Sequence, residues 1–271
     1  MIYVLYHANC FDGHSAAWAA WTKFGDEAKY IPCSHGNSFP ELDLKPEDKI
    51  YILDFSFKRE ILVELQSKVV FLMVIDHHKT AQEDLEGFDN YIFDMTKSGA
   101  LLTWEYFFPE ENAPMLIRYI SDRDLWKFQL PNSKEVHAYI ASVQRTFEKW
   151  NELEIFLAHH LDAAIDTGRA LLDNHNVIVE SLCKHGVQFD KFKMGDEEIE
   201  LPVVNCPKQF SSDACVKLYE THNTPAAVYW IMESNMIIFG IRSRPEFDCS
   251  IIAKSYGGGG HKNASGWQIP I

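Results

Sequence analysis

The sequence predicts an α/β chain: a doubly wound, mostly parallel sheet, then a helical connector, then a smaller α/β domain. Three observations predict it. Short apolar runs at residues 3–6, 49–54 and 69–75 alternate with helical apolar spacing at 13–24 and 58–67, as expected of strands buried on both faces between helices. Residues 147–184 are rich in Glu, Leu, Ala and His and lack proline, which reads as one or two helices. Beyond residue 186, runs at 201–205, 226–232 and 236–242 read as strands, with Glu233-Ser234-Asn235 as a hairpin turn between the last two. The resulting partition is 1–146 for the sheet domain, 147–185 for the connector and 186–271 for the smaller domain.

The three N-terminal runs end in polar groups. The first ends at His7, the second at Asp54, and the third runs into Asp76-His77-His78. In open parallel sheets, ligands bind beyond the C-terminal strand ends, which is where these residues fall. Asp12 follows His7 closely, and a further polar segment, Ser121-Asp122-Arg123-Asp124, follows the run at 117–120. Taken singly, each has an ordinary reading: His7 as a loop histidine, Asp54 or Asp122 as a helix N-cap. The pair His159-His160 reads as a solvated helical face. The coincidence of four polar segments at strand ends points instead to a metal site. Carboxylates with imidazoles suit Mn²⁺ and similar borderline ions better than Ca²⁺. Two ions about 3.5–4 Å apart can share a bridging carboxylate, activate water and clamp a phosphoryl oxygen.

Composition narrows the function classes. With 46% hydrophobic and 24% charged residues, the chain is neither disordered nor fibrous. No apolar run reaches the ~18 residues of a membrane-spanning helix, so no membrane partner is expected. The N-terminus lacks a basic region and reads as a buried strand rather than a signal peptide. Six cysteines without C-x-x-C spacing argue against structural zinc and for a reducing, cytoplasmic setting. A net charge of −14 disfavours coating long duplex DNA. It leaves room for a small anionic substrate where bound metal inverts the local field.

The second sharp feature is the run of four glycines at 257–260, followed by His261-Lys262-Asn263. Without Cβ atoms, such a backbone can approach a ligand closely and aim amides at an anion. A flexible loop is the competing reading. The neighbouring Arg242 and Arg244 favour phosphate binding, giving Arg242, Arg244, Gly258, Gly259, Gly260, His261 and Asn263, with His78, as expected substrate contacts.

These residues together resemble the DHH phosphoesterase superfamily, in particular members carrying the DHH-associated C-terminal domain. Asp76-His77-His78 matches the naming motif, Asp54-Phe55-Ser56 the second motif and Ser121-Asp122-Arg123-Asp124 the fourth. Residues 258–266 match the glycine-rich C-terminal signature, and the resemblance spans nearly the whole chain in order. It implies a phosphodiesterase or phosphatase using two Mn²⁺ ions, with Mg²⁺ or Co²⁺ as substitutes, and an active site in the cleft between two domains. By motif position, His7 and Asp54 would hold one ion; Asp12, Asp54, His77 and Asp122 would hold the other, with Asp54 bridging. Asp54, Asp76, His77 and His78 would carry the chemistry, Asp76 as a ligand or as an orienter of its neighbours. His78 would lie near the substrate phosphate, and His261 with the glycines would grip the nucleotide.

One departure stands out. The usual first motif reads Asp-x-Asp-Gly, whereas this chain has Cys10-Phe11-Asp12-Gly13. Water or Asn9 is the preferred substitute for the lost carboxylate, because a Cys10 thiolate would draw the site toward softer metals. The expected substrate is a short oligonucleotide or a dinucleotide, hydrolysed to mononucleotides in the manner of a nanoRNase. The alternatives are a cyclic-dinucleotide phosphodiesterase, a phosphatase for the 3′-phosphate of bisphosphorylated adenosine, and, in a different class, a non-catalytic nucleotide sensor. Phe11, Phe55, Trp126 and Phe247 are candidates to stack on bases, each with a competing reading as core. The sequence leaves monomer and homodimer open.

Overall fold

The computed structural model describes residues 1–34 and 38–271. It divides into two compact units, Met1–Leu172 and Asp173–Ile271.

In the first unit, β1 (Ile2–His7), β2 (Ala28–Cys33), β3 (Lys49–Leu53), β4 (Phe71–Asp76) and β5 (Tyr91–Phe93) form a sheet of order β2-β1-β3-β4-β5. Every pairing in it is parallel. Helices α1 (Phe11–Phe24), α2 (Arg59–Lys68), α3 (Lys79–Asp84) and α4 (Gly99–Phe107) follow strands or lie between them. Alternate strand residues feed two cores. Val4, Tyr51 and Leu53 pack with α1 and α4 residues such as Ala16, Trp18 and Leu102. Tyr3, Leu5, Ile50 and Ile52 pack with Leu62 and Leu65 of α2. Burial on both faces is why these strands read as nearly continuous apolar runs.

Helices α5 (Met115–Asp124), α6 (Ser133–Ser142) and α7 (Phe147–His159) enlarge the α1 side. Thr146 caps α7, accepting from the Lys149 amide at 3.3 Å. The apolar face of α7 puts Trp150, Leu153 and Leu157 into the first unit's core. The Trp150 indole donates to Ser15 Oγ at 3.0 Å. Helix α8 (Leu161–His185) buries Ala164 and Ile165 in that core and Val179 in a core of the second unit, so the division falls inside it. His159 and His160 are exposed, as expected of a solvated face.

The second unit holds β6 (Val187–Met194), β7 (Glu197–Asn205), β8 (Ala226–Glu233), β9 (Met236–Ser243), β10 (Gly259–His261) and β11 (Ala264–Pro270), in the order β10-β11-β9-β8-β7-β6. Only β7–β8 is parallel. Helices α9 (Lys208–Thr221) and α10 (Ser250–Ser255) complete the unit. The β8–β9 hairpin closes Glu233 against Met236, with Ser234 left-handed at φ 54°. β6 carries no readable strand pattern because it is an edge strand with mostly exposed residues.

The glycine run is part of a hairpin rather than a free loop. Gly259 and Gly260 pair with Gly266 and Ser265. A Cβ at Gly258 would collide with the Gly266 carbonyl oxygen, and Gly260 has φ 138°. The fold itself therefore requires glycine at these positions. Among the described residues, no helix is long and apolar enough to cross a membrane.

Candidate metal centre

Because β1, β3 and β4 run parallel and adjacent, their C-terminal ends share one sheet edge, bringing His7, Asp54 and the Asp76-His77-His78 segment together. Local backbone choices complete the gathering. Asp54 turns the chain off β3 in a left-handed conformation, φ 61°, while its amide donates to the Ile75 carbonyl at 2.8 Å. A Cβ at Gly13 would strike the His7 carbonyl, so glycine there lets α1 start against the end of β1 and brings Asp12 to the edge. Gly99 starts α4 directly beneath Asp54.

Within the first unit two triads result: His7, Asp54 and His78; and Asp12, Asp54 and His77. In each, the donor atoms lie within 4.8 Å of one another. Asp54 belongs to both and is 1% exposed. Its Oδ2 lies 3.2 Å from His7 Nδ1, and its Oδ1 lies 3.2 Å from His77 Nε2. Asp12 Oδ2 lies 3.5 Å from the same His77 nitrogen. Asp12 is held by the start of α4: Gly99 donates its amide at 2.6 Å and Ala100 at 3.1 Å. Ser98 Oγ accepts from the Leu101 amide at 3.3 Å, so three otherwise unpaired helix-start amides are satisfied.

Asp76 does a different job. Its Oδ1 accepts from the His77 amide at 2.8 Å and the His78 amide at 3.3 Å, and lies 2.7 Å from His78 Nδ1. A carboxylate there favours a proton on Nδ1 and leaves Nε2 as the lone-pair nitrogen. Asp76 is thus a positioning residue for the two histidines.

The buried carboxylates and imidazoles of this cluster shift one another's protonation. Burial raises the Asp12 carboxyl well above its ordinary value, and the neighbouring Asp54 and Asp124 raise it further. Burial would raise Asp54 too, but hydrogen bonding to His7 and His77 outweighs it and holds that carboxyl well below the usual range. Burial would lower His77; hydrogen bonding and charge from Asp54, then the charges of Asp12 and Asp124, outweigh it and push the imidazole up to about 11. The Cys10 thiol is pushed well above its ordinary value, first by burial and then by Asp54, Asp124 and Asp12. Cys10 belongs to neither triad.

Asp122 belongs to neither triad. Its Oδ1 accepts from the Gln129 amide at 2.9 Å and its Oδ2 from the Leu130 amide at 3.2 Å, so the carboxylate pins the loop after α5. The carboxylate from this segment that faces the centre is Asp124, 27% exposed, with Oδ2 3.7 Å from His77 Nε2.

In the second unit, three expected substrate contacts are occupied structurally. Arg244 donates to the Thr224 and Tyr219 carbonyls at 3.0 and 3.1 Å, closing the end of α9. Arg242 donates to Ser212 Oγ at 3.2 Å and to the Ile241 carbonyl at 2.9 Å. Asn263 Nδ2 faces Ser243 Oγ, the Arg244 carbonyl and the Phe247 carbonyl at 2.9, 2.7 and 3.0 Å. Gly258, Gly259, Gly260 and His261 form and flank β10.

Sequence reasoning overlooked Ser98, Gly99 and Ala100. The signal was legible: a serine before a glycine and an apolar run is a helix-start pattern.

No family model matches the chain. The chain is 34% identical over 97% of its length to an uncharacterized protein, R106, of Acanthamoeba polyphaga mimivirus, and spans 66% of that protein. Among solved structures, it is similar to an uncharacterized protein from Helicobacter pylori G27, with TM-score 0.50, 17% identity and coverage of 99% of this chain and 93% of that one. It is also similar to an exopolyphosphatase-related protein from Bacteroides fragilis, with TM-score 0.51, 15% identity and coverage of 98% and 85%. At these identities the likeness shows the fold alone: two α/β units, one built on an all-parallel sheet and the other on a mixed sheet.

Proposed function

We propose that the chain is a metal-dependent phosphoesterase of the DHH type whose substrates are short oligonucleotides or linear dinucleotides. The observation that carries this reading is Asp54, a buried carboxylate whose two oxygens serve two separate triads. Such a donor set would suit a pair of divalent ions, with His7, Asp54 and His78 available to hold one and Asp12, Asp54 and His77 the other. Mixed nitrogen and oxygen donors fit Mn²⁺, with Mg²⁺ or Co²⁺ as substitutes. When bound, such a pair supplies Lewis acidity and a water activated near neutral pH.

The protein's own part is to keep that geometry. Asp76 orients His78, the α4 amides fix Asp12, and the turn at Asp54 aims its two oxygens apart. Kinship of fold with an exopolyphosphatase-related protein supports phosphate chemistry. The glycine-rich C-terminal signature supports nucleotides, and the net charge of −14 supports short ones, which need few phosphate contacts.

The test is turnover with Mn²⁺, Mg²⁺ or chelator on short RNA and DNA, cyclic dinucleotides and adenosine 3′,5′-bisphosphate. Chelator-sensitive release of mononucleotides from short linear substrates is expected. Faster cleavage of a cyclic substrate would move the reading to that class. Tight nucleotide binding without cleavage of any substrate would make the protein a sensor and overturn it.

A further inference from the structure

The loop at 125–130 leaves α5 immediately after Asp124, whose Oδ2 lies 3.7 Å from His77 Nε2. Two aromatic residues in it are left-handed, Trp126 at φ 55° and Phe128 at φ 48°. Bulky L residues rarely adopt that conformation, and it persists only where the surroundings over-determine it. Here Asp122 does so. Besides the two carboxylate bonds described above, its carbonyl accepts from the Lys127 and Phe128 amides at 2.9 and 3.4 Å. Lys127 Nζ ties the loop to the Thr96 carbonyl at 2.9 Å.

The strain serves no core. Neither Trp126 nor Phe128 belongs to a hydrophobic cluster, and Trp126 is 39% exposed. Of the other aromatic candidates, Phe55 is fully buried, and Phe11 and Phe247 pack against cores. The exposed Trp126 ring and the half-buried Phe128 ring are set among cations. The Arg123 guanidinium lies 4.0 Å over the Trp126 ring and 5.4 Å from that of Phe128. Lys134 Nζ lies 4.9 Å over Phe128, and the two rings meet edge to face at 5.0 Å.

We infer that Trp126 and Phe128, with Arg123 and Lys134, form a stacking platform for a nucleobase beside the metal centre. A flat exposed indole recognises the π-face of a base, whatever the base, and adjacent cations accept the flanking phosphate. A bare polyphosphate would use the cations and gain nothing from the rings. The inference rests on the proposed function for its substrate class and adds the base-binding element.

Adenosine 5′-monophosphate and ribose 5-phosphate, titrated in the presence of Mn²⁺, separate the base from the phosphate. The wild type should bind the nucleotide about tenfold or more tightly than the sugar phosphate, within the range expected for one stacked base. Trp126→Gly should lose that preference, keep its affinity for ribose 5-phosphate, and melt no lower, because glycine relieves the left-handed backbone. Unchanged nucleotide affinity in this variant overturns the platform, as does a lowered melting temperature with the preference retained. Should Trp126→Gly not fold, Trp126→Phe decides. Nucleotide-induced quenching of tryptophan emission should vanish in it while binding persists, and quenching equal to wild type overturns the inference. Absence of phosphodiester cleavage with the base preference intact would sink the proposed function alone. Cleavage and binding indifferent to Trp126 would sink the platform alone.

Discussion

The carboxylate of Asp54 occupies the place where a side chain on residue 99 would begin: a Cβ on Gly99 would lie 2.5 Å from Asp54 Oδ1. Glycine at the start of α4 is therefore part of the candidate metal centre, although it offers no donor side chain. Its amide also holds Asp12, so one residue governs the positions of two carboxylates.

Gly99→Ala should displace Asp54 and lower the bound metal, with a stability loss of about 1–3 kcal/mol from overpacking. Metal analysis alongside thermal melting checks this. Wild-type metal content in the alanine variant would show that Asp54 can move without consequence.

Asp122 and Asp124 should separate cleanly. Asp124→Asn should weaken metal uptake and leave melting nearly unchanged. Asp122→Ala strips the loop amides of Gln129 and Leu130 of their acceptor and should cost about 1–3 kcal/mol, with both metals retained. Metal titration of the two variants decides, and loss of a metal from Asp122→Ala would return that residue to the ligand set.

All six cysteines should be slow to react in the folded protein at pH 8. Burial pushes Cys33 up to about 11; burial, and then the neighbouring Cys183, push Cys206 up to about 12. The remaining four are shifted in the same direction, burial leading in each. A folded-state value above the unfolded 9.0 means that the associated stability is complete below pH 9 and is lost as pH rises through about 11 to 12. Reaction with a thiol reagent, native against denatured, measures this, and one fast native thiol at pH 8 would contradict it.

How much of this was legible without coordinates depends on the range of the interactions involved. Parallel strands buried on both faces are written as uninterrupted apolar runs, and parallel pairing obliges their ends to meet. His7, Asp54 and the Asp76-His77-His78 segment could therefore be placed together from local pattern alone. The start of α4 was equally local, and a closer reading of Ser98-Gly99 would have found it.

Other assignments depended on partners distant in the chain. Asp122 and Asp124 stand roughly 200° apart around one helix, so which of them faces His77 depends on how α5 packs and not on either residue. Arg244, Arg242 and Asn263 have the chemistry of phosphate ligands, yet the fold supplies carbonyls and hydroxyls that engage part of their donor capacity. β6 shows no alternation because an edge strand buries little. Residue types and short-range periodicity determined the sheet, its polar edge and the mixed carboxylate and imidazole character of that edge. Only tertiary packing decided which carboxylates converge and which are spent holding the chain, since a hydrogen-bond donor or acceptor is assigned by whatever the fold brings within reach.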